Sequence, residues 1–343
     1  MIEIDGSLGE GGGQILRTSL CLSLLTQTPV HFYNIRAKRK KPGLKNQHLT
    51  CVKAAQEIGC AEVKGAELHS QEIYFSPQSL QGGHYVFSMA GAGSTMLVLQ
   101  TILPALALAP QPSYLQLEGG THNPMSPHYD YIKEVFLPLF CQMGPQIEST
   151  LKRPGFFPVG AGQATIKITP CTQLQALHLP TELNIGSIKA DVLQARLPAH
   201  IFQREEKLIR AQLPECHRIE LKEYPQSKGS GHVLMLKAID KNTQVLEIVT
   251  GFGMKGLSAE RLVQSAIKEF NGYLKDKVRV GEYLADQLLL PMALAGSGSF
   301  MTSKPSLHTL TNIETIQRFI DIKIRVSEGP KGWMIQVGAP LLS

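Results

Sequence analysis

Apolar and polar positions change period several times along this chain, and the changes mark out its elements. Residues 2 to 5, IEID, alternate as a half-buried strand does. A glycine-rich turn follows, and QILRTSLCLSLLT then carries apolar residues at helical spacing before PVHFYNIRA returns to strand character. A second helix is predicted in LKNQHLTCVKAAQEIG, entered after Pro42-Gly43 and closed by Gly59, with AEVKG and SQEIYFSP as two short strands after it. The order strand, helix, strand, helix, strand, strand then recurs. Its second copy is GGHYVFSMAGAG, STMLVLQTILPALAL, SYLQLEGG, HYDYIKEVFLPLFCQMG and strands near 146–153 and 163–169. A third, shorter version runs from GEYLADQLLLPMALAG through GSFMTSKPS, NIETIQRFIDI and KGWMIQVG. The repeat is one of architecture and not of residue identity.

Between the second and third copies the pattern differs. It reads as strand-like IGSIKADVLQARL, helix-like HIFQREEKLIRAQ, a hairpin turning at Lys241-Asn242, and helix-like SAERLVQSAIKEFNGYL. The expected fold class is therefore α/β of the α+β type. A large domain of three repeated units, residues 1–182 and 277–343, is interrupted by a smaller inserted α/β domain, residues 183–276.

Composition narrows this. With 343 residues, 43% hydrophobic and 18% charged, the chain has enough apolar mass for two packed domains and excludes disorder. The net charge of +6 suits a polyanionic partner without requiring one. Six cysteines lie scattered with no C-x-x-C pair, which predicts reduced thiols and a cytoplasmic protein with no zinc-ribbon site. The opening MIEIDGSLGEGGG has neither a basic n-region nor an apolar h-region, and the longest apolar run, LVLQTILPALALA, is too short to span a bilayer and contains a proline. No membrane association is expected.

Candidate chemistry concentrates in turns. DGSLGEGGGQILR packs five glycines between a strand and a helix, which suits either a tight turn or a backbone cradle for an anion. It has neither Walker A nor clean G-x-G-x-x-G spacing. Glu10 in that loop is a candidate ligand for a hard cation, and Arg17, one turn into the helix, a candidate phosphate contact. IRAKRKKPGLKNQHL sets six cations around Pro42-Gly43 and then offers Gln47 and His48, as a solvated turn or an anion site. Gln100 lies in an otherwise apolar helix, where either a core hydrogen bond or a ligand must satisfy it. THNPMSPHYDY is a rigid loop that could wall a base-sized ligand. EYLADQ sets Tyr283, Asp286 and Gln287 on one helix face, for ligand recognition or for capping and solvation. SKPSLHTLTN reads as a Ser/Thr-rich strand end holding His308, with no Ser-His-Asp or Cys-His spacing to mark it as reactive.

Together DGSLGEGGGQILR, IRAKRKKPGLKNQHL, AGSTMLVLQTILPAL, GGTHNPMSP, EYLADQLLLPMALA and LHTLTN resemble the RNA 3′-terminal phosphate cyclase family, in one order from residue 2 to about 320. The resemblance implies ATP-dependent conversion of an RNA 3′-phosphate into a 2′,3′-cyclic phosphodiester, with ATP and a divalent cation (Mg2+ or Mn2+) as cofactors and RNA bearing a 3′-phosphate as partner. A homodimer is left open. It implies that His308 is the residue adenylylated and that Glu10 holds the cation. Gln100, Pro127, Tyr131, Tyr283, Asp286 and Gln287 would form the adenylate pocket. Arg17, Arg36, Arg39, Gln47 and His48 would handle the triphosphate or the RNA end. Two departures stand out: Lys38 where glycine is common, and Ala161 inside what is usually an unbroken glycine run. The alternative class is a non-catalytic RNA-binding ribosome-assembly factor of the same family; such relatives lack the histidine.

Overall fold

Three times along the chain, strands and helices close into a four-stranded sheet of the same connectivity. The computed structural model describes residues 1–338. The first unit is β1 (Ile2–Asp5), α1 (Gln14–Thr26), β2 (Val30–Tyr33), α2 (Asn46–Ile58), β3 (Glu62–Lys64) and β4 (Ile73–Ser76), in sheet order β1-β2-β4-β3. The second is β5 (His84–Ser88), α3 (Thr95–Leu106), β6 (Ser113–Gly119), a helical segment, β7 (Gln146–Arg153) and β8 (Gly162–Thr169), in order β5-β6-β8-β7. That segment is a single turn, α4 (Tyr129–Tyr131), a π-helical turn at Ile132–Phe136, and α5 (Leu137–Gln142). In both units the first two strands are parallel and the rest antiparallel.

The third unit begins earlier than its periodicity announces. A two-residue strand, β9 (Leu177–His178), pairs in parallel with a strand more than a hundred residues later. Between them lie β10 (Ile185–Ala195), α6 (His200–Gln212), β11 (Cys216–Glu223), β12 (Gly231–Asp240), β13 (Val245–Phe252) and α7 (Ala259–Asp276), whose strands form a sheet of their own, β11-β10-β12-β13. The unit resumes with α8 (Glu282–Ala295), β14 (Gly298–Thr302), α9 (Leu307–Gln317), β15 (Ile324–Gly329) and β16 (Gly332–Val337), in order β15-β16-β14-β9. Read from β9, this is the connectivity of the first two units. The intervening residues enter between the first strand and the first helix of the third. A strand of two residues carries no alternation, so the sequence pattern could not reveal it.

Alternation explains how the inserted sheet docks. Along β10 and β12, Ile188, Ala190, Val192, Leu234, Leu236 and Ala238 pack with Ile209 of α6 and Phe270 of α7 in a separate core. The intervening Leu193, Ala195, Val233 and Met235 join the main core instead. Both faces are covered, which is why HVLMLKAI reads as a continuous apolar run. Among the described residues no helix is long and apolar enough to cross a membrane.

Helix starts are where the chain invests its special geometry. His308, expected at a strand end, is the second residue of α9. The Ser306 hydroxyl accepts a hydrogen bond from the Thr309 N–H at 3.3 Å, and that N-cap converts the segment to helix. The basic corner turns through Gly43 at φ +74°, where a Cβ would overlap the His69 carbonyl. Ala161 holds φ +54°, a left-handed conformation that glycine adopts with less strain.

Gly43→Ala should lose more stability than Gly91→Ala. Both glycines have a left-handed φ, but a Cβ at Gly91 meets nothing within 4 Å. Backbone strain of about 1–2 kcal/mol is common to both, and only Gly43→Ala adds the clash. Equal losses in urea unfolding would contradict this account of the corner.

Candidate functional site

Five helices point their N-termini at one region, and side chains stitch those termini together. Gln14, first residue of α1, donates from Nε2 to Asp286 Oδ1 on α8. Its Oε1 meets His308 Nδ1 of α9 at 2.9 Å. Gln47 of α2 accepts from the backbone N–H of Ser94, the N-cap of α3, at 3.1 Å. His48 lies against Gly13, the N-cap of α1. Each helix start carries about half a positive charge and several unpaired N–H groups, so their convergence favours a ligand with several negative charges.

Within this ring the imidazole of His308 has a defined tautomer. An ionised Asp286 only accepts, so the Gln14 amide must turn its NH2 toward Asp286 and its carbonyl toward His308. Nδ1 then carries the hydrogen, and Nε2 keeps its lone pair. The His308 side chain is 52% exposed, and Nε2 stands 3.7 Å from Glu10 Oε1, beyond hydrogen-bond length. Asp286 is anchored from both sides, since its backbone carbonyl accepts from Asn312 Nδ2 at 3.0 Å while Asn312 Oδ1 accepts from Thr18 at 2.9 Å. Loss of water around it pushes the Asp286 carboxyl up to about 6, against the pull of His308 and Arg17.

Glu10 occupies the glycine loop beside α1. Arg39 pairs with its Oε1, and its N–H donates to Thr311 Oγ1 of α9 at 3.2 Å. Its other oxygen, Oε2, is buried without a hydrogen-bond partner among the described residues. A buried carboxylate oxygen left unpaired is the donor a hard divalent cation takes, so the residues fit such an ion.

Arg17, Gln100, Asp286 and Gln287 line one cleft with Gln14, closed behind by Phe136 and Leu290. The space it holds for a ligand is about 70 Å³, smaller than the roughly 300–1,000 Å³ of whole small-molecule sites, so the cleft takes part of a ligand and its open mouth the rest. Gln287 Oε1 is also buried and has no hydrogen-bond partner among the described residues. Arg17 makes no side-chain hydrogen bond among the described residues. Burial lowers the Arg17 guanidinium from its usual value, yet it remains charged.

The other residues singled out from sequence lie nearby, in different settings. Tyr283 stands on the first turn of α8, 62% exposed and outside the cleft wall. Pro127 is half-buried in its loop. Tyr131 is buried beside the Glu247 carboxyl of β13, and neither it nor Pro127 lines the cleft. Arg36 spends its Nη1 on the carbonyls of Lys41 and Gly43, at 2.8 and 2.9 Å, and so holds the basic corner in shape. Arg39 is committed to Glu10. His48 Nδ1 accepts from the Lys45 N–H at 3.2 Å, and burial, reinforced by Arg17, pushes the imidazole down to about 3, so it is neutral.

Sequence reasoning passed over Gln14, Thr18, Thr311 and Asn312. The available signal was a polar residue at the mouth of each buried helix: Gln14 directly after three glycines, and Thr311 and Asn312 inside LHTLTN.

Because the folded-state pKa of Asp286 lies above its ordinary 3.8, the group stabilises the fold fully below about pH 4, and that contribution is lost as pH rises through about 6. Asp286→Asn removes this dependence. The stability difference between wild type and variant should therefore shift against wild type between about pH 4 and 6. A difference that stays constant in urea unfolding across that range would exclude the burial account.

Among solved structures, the crystal structure of the enolpyruvyl transferase NikO from Streptomyces tendae aligns with 99% of this chain at 10% identity and a TM-score of 0.27. This chain spans 65% of that one's length. At that score the likeness says nothing about activity. The model of the RNA 3′-terminal phosphate cyclase family, by contrast, matches residues 8–326, a span containing the glycine loop, the basic corner, the helix starts and His308, and the chain belongs to that family.

Proposed function

We propose that the protein is an ATP-dependent RNA 3′-phosphate cyclase and that His308 carries the adenylyl group between ATP and the RNA end. The observation supporting this most strongly is His308 itself. Its Nδ1–H is directed to Gln14, its Nε2 is free, and it stands at a helix start among four others. A group meant only to bind RNA has no need of a fixed tautomer.

The chemistry then proceeds in three displacements. The lone pair of Nε2 attacks the α-phosphorus of ATP; a P–N bond forms and the bond to pyrophosphate breaks, with pyrophosphate taking the electron pair. The positive charge appearing on the ring sits on Nδ1–H, facing the Gln14 carbonyl, which Asp286 polarises through the amide. Next an oxygen of the RNA 3′-phosphate attacks the adenylyl phosphorus, the P–N bond breaks, and His308 returns to its neutral form. The ribose 2′-OH, held adjacent by the sugar itself, finally attacks the activated phosphorus and releases AMP. A divalent cation held by Glu10 would supply charge neutralisation at the phosphates. Arg17 and the helix N-termini face the same charge. Gln100, Asp286 and Gln287 line the cleft proposed for the adenylate, with Tyr283 at its rim. We take Pro127 and Tyr131 as supports of that rim, and residues 183–276 as a separate inserted domain. Arg39 would exchange Glu10 for a phosphate as the cation arrives. The basic corner thus serves the RNA end through Arg39 and its lysines, while Arg36 maintains its shape.

Incubation with α-labelled ATP should give covalently labelled protein with an acid-labile bond. His308→Ala should lose labelling and cyclisation of a 3′-phosphate RNA, yet still close a pre-adenylated RNA end. Gln14→Ala should label roughly a hundredfold more slowly through misorientation of the imidazole, with RNA affinity unchanged. Labelling retained in His308→Ala would refute the assignment. Wild-type protein that binds RNA and never labels would instead favour an assembly factor without turnover.

A further inference from the structure

The loop between β6 and α4, together with α4 itself, gathers three side chains that the adenylylation chemistry does not use. His122, His128 and Asp130 are buried, and one nitrogen or oxygen from each lies within 4.8 Å of the others. His122 Nε2 is 2.7 Å and His128 Nδ1 3.9 Å from Asp130 Oδ2. Ligand atoms bound at about 2.0–2.2 Å to one ion lie roughly 3–4 Å from each other; the 3.9 Å separation falls within that range and the 2.7 Å one just short of it.

The outer nitrogens are held as those of metal-binding histidines are. His122 Nδ1 meets Thr121 Oγ1 at 2.9 Å, and His128 Nε2 meets Thr250 Oγ1 at 2.8 Å. With an ion bound, each hydroxyl would accept from the far N–H, fix the tautomer and turn the near lone pair inward. Two bonds compete for the inward atoms: His122 Nε2 and Asp130 Oδ2 stand at hydrogen-bond distance from each other, 2.7 Å, and the Tyr131 N–H reaches His128 Nδ1 at 3.3 Å. Charge points the same way. Lys237 is committed to Glu134 at 2.5 Å and Asp191 at 2.6 Å, and Lys222 to Asp191 at 2.7 Å. With Asp130, this region holds three carboxylates against two ammonium groups, so neutral imidazoles leave it one negative charge in excess. Either a proton shared between His122 and Asp130 or a bound cation compensates it.

We infer that His122, His128 and Asp130 form a binding site for one divalent transition-metal ion of the zinc type. Two imidazoles and a carboxylate are borderline donors that select such an ion over magnesium. Asp130 keeps 10% of its side chain exposed, which leaves the cluster reachable from solvent. The ion is structural. Through Thr250 of β13 it pins the loop carrying Pro127 to the inserted sheet.

Cobalt(II) is the probe, added to full-length metal-stripped protein carrying Glu10→Gln, so that the catalytic loop cannot supply its carboxylate. The site predicts one equivalent of cobalt with visible d–d absorption, displaced by zinc. Affinity should fall at least about tenfold in His128→Gln and Asp130→Asn. X-ray absorption of the cobalt-loaded Glu10→Gln protein should count two imidazole ligands, a reading that survives should either further variant fail to fold. Absence of stoichiometric cobalt binding, a coordination sphere with fewer than two imidazoles, or unchanged affinity in a folded His128→Gln protein would overturn the inference.

Discussion

The hydrogen-bonded chain from Asp286 through Gln14 to His308 is the constraint on which the site depends. It joins three helices from two repeated units, and it works only because a carboxylate cannot donate. That single chemical fact orients an amide, the amide orients an imidazole, and the imidazole is left with its unprotonated nitrogen outward. Thr18 and Asn312 hold the same three helices from behind, so the relay is embedded in packing between α1, α8 and α9 and is not suspended in a loop.

The repeated architecture supplies the setting. The first two units run from a strand through a turn into a helix, the third does so once the inserted residues are passed, and packing the units brings the helix N-termini together. Under the proposed function, affinity for phosphates would come largely from backbone, with Arg17 and Arg39 adding full charges. This division accounts for the modest net charge of +6: a site made of helix starts needs few cations, and each can serve a second purpose. Arg36 shows the point, because its guanidinium is satisfied by carbonyls of its own turn while remaining part of the basic corner.

Much of the fold was legible because strands and helices here are amphipathic over enough residues to show a period. The three repeats, the inserted sheet and most element boundaries follow from IEID, QILRTSLCLSLLT and their counterparts. What was hidden was either too short or encoded in partners. β9 has two residues. β11 alternates little, with most positions partly exposed. The N-cap of α9 depends on Ser306, which also reads as a turn residue. In the site, Glu10 and Arg17 were visible as charged groups at a glycine turn and the helix after it, whereas His308 read as an ordinary residue at a strand end and gained a role only through the family resemblance. Gln14 was not, since an amide at a helix start has no distinctive chemistry until a carboxylate from residue 286 and an imidazole from residue 308 are brought to its two ends. Tyr283, Asp286 and Gln287 share a helix face by spacing, yet only the latter two reach the cleft, because Tyr283 sits on the opening turn where the helix emerges into solvent.

The central claim is that the relay fixes which nitrogen of His308 reacts, and the direct measurement is the linkage in the adenylylated protein. With histidine labelled by 15N and the phosphorus observed by NMR, the account predicts one-bond coupling between phosphorus and Nε2, with a protonated Nδ1 hydrogen-bonded to Gln14. An adenylyl group on Nδ1 would mean that the imidazole is held the other way round, and would contradict the account at its foundation.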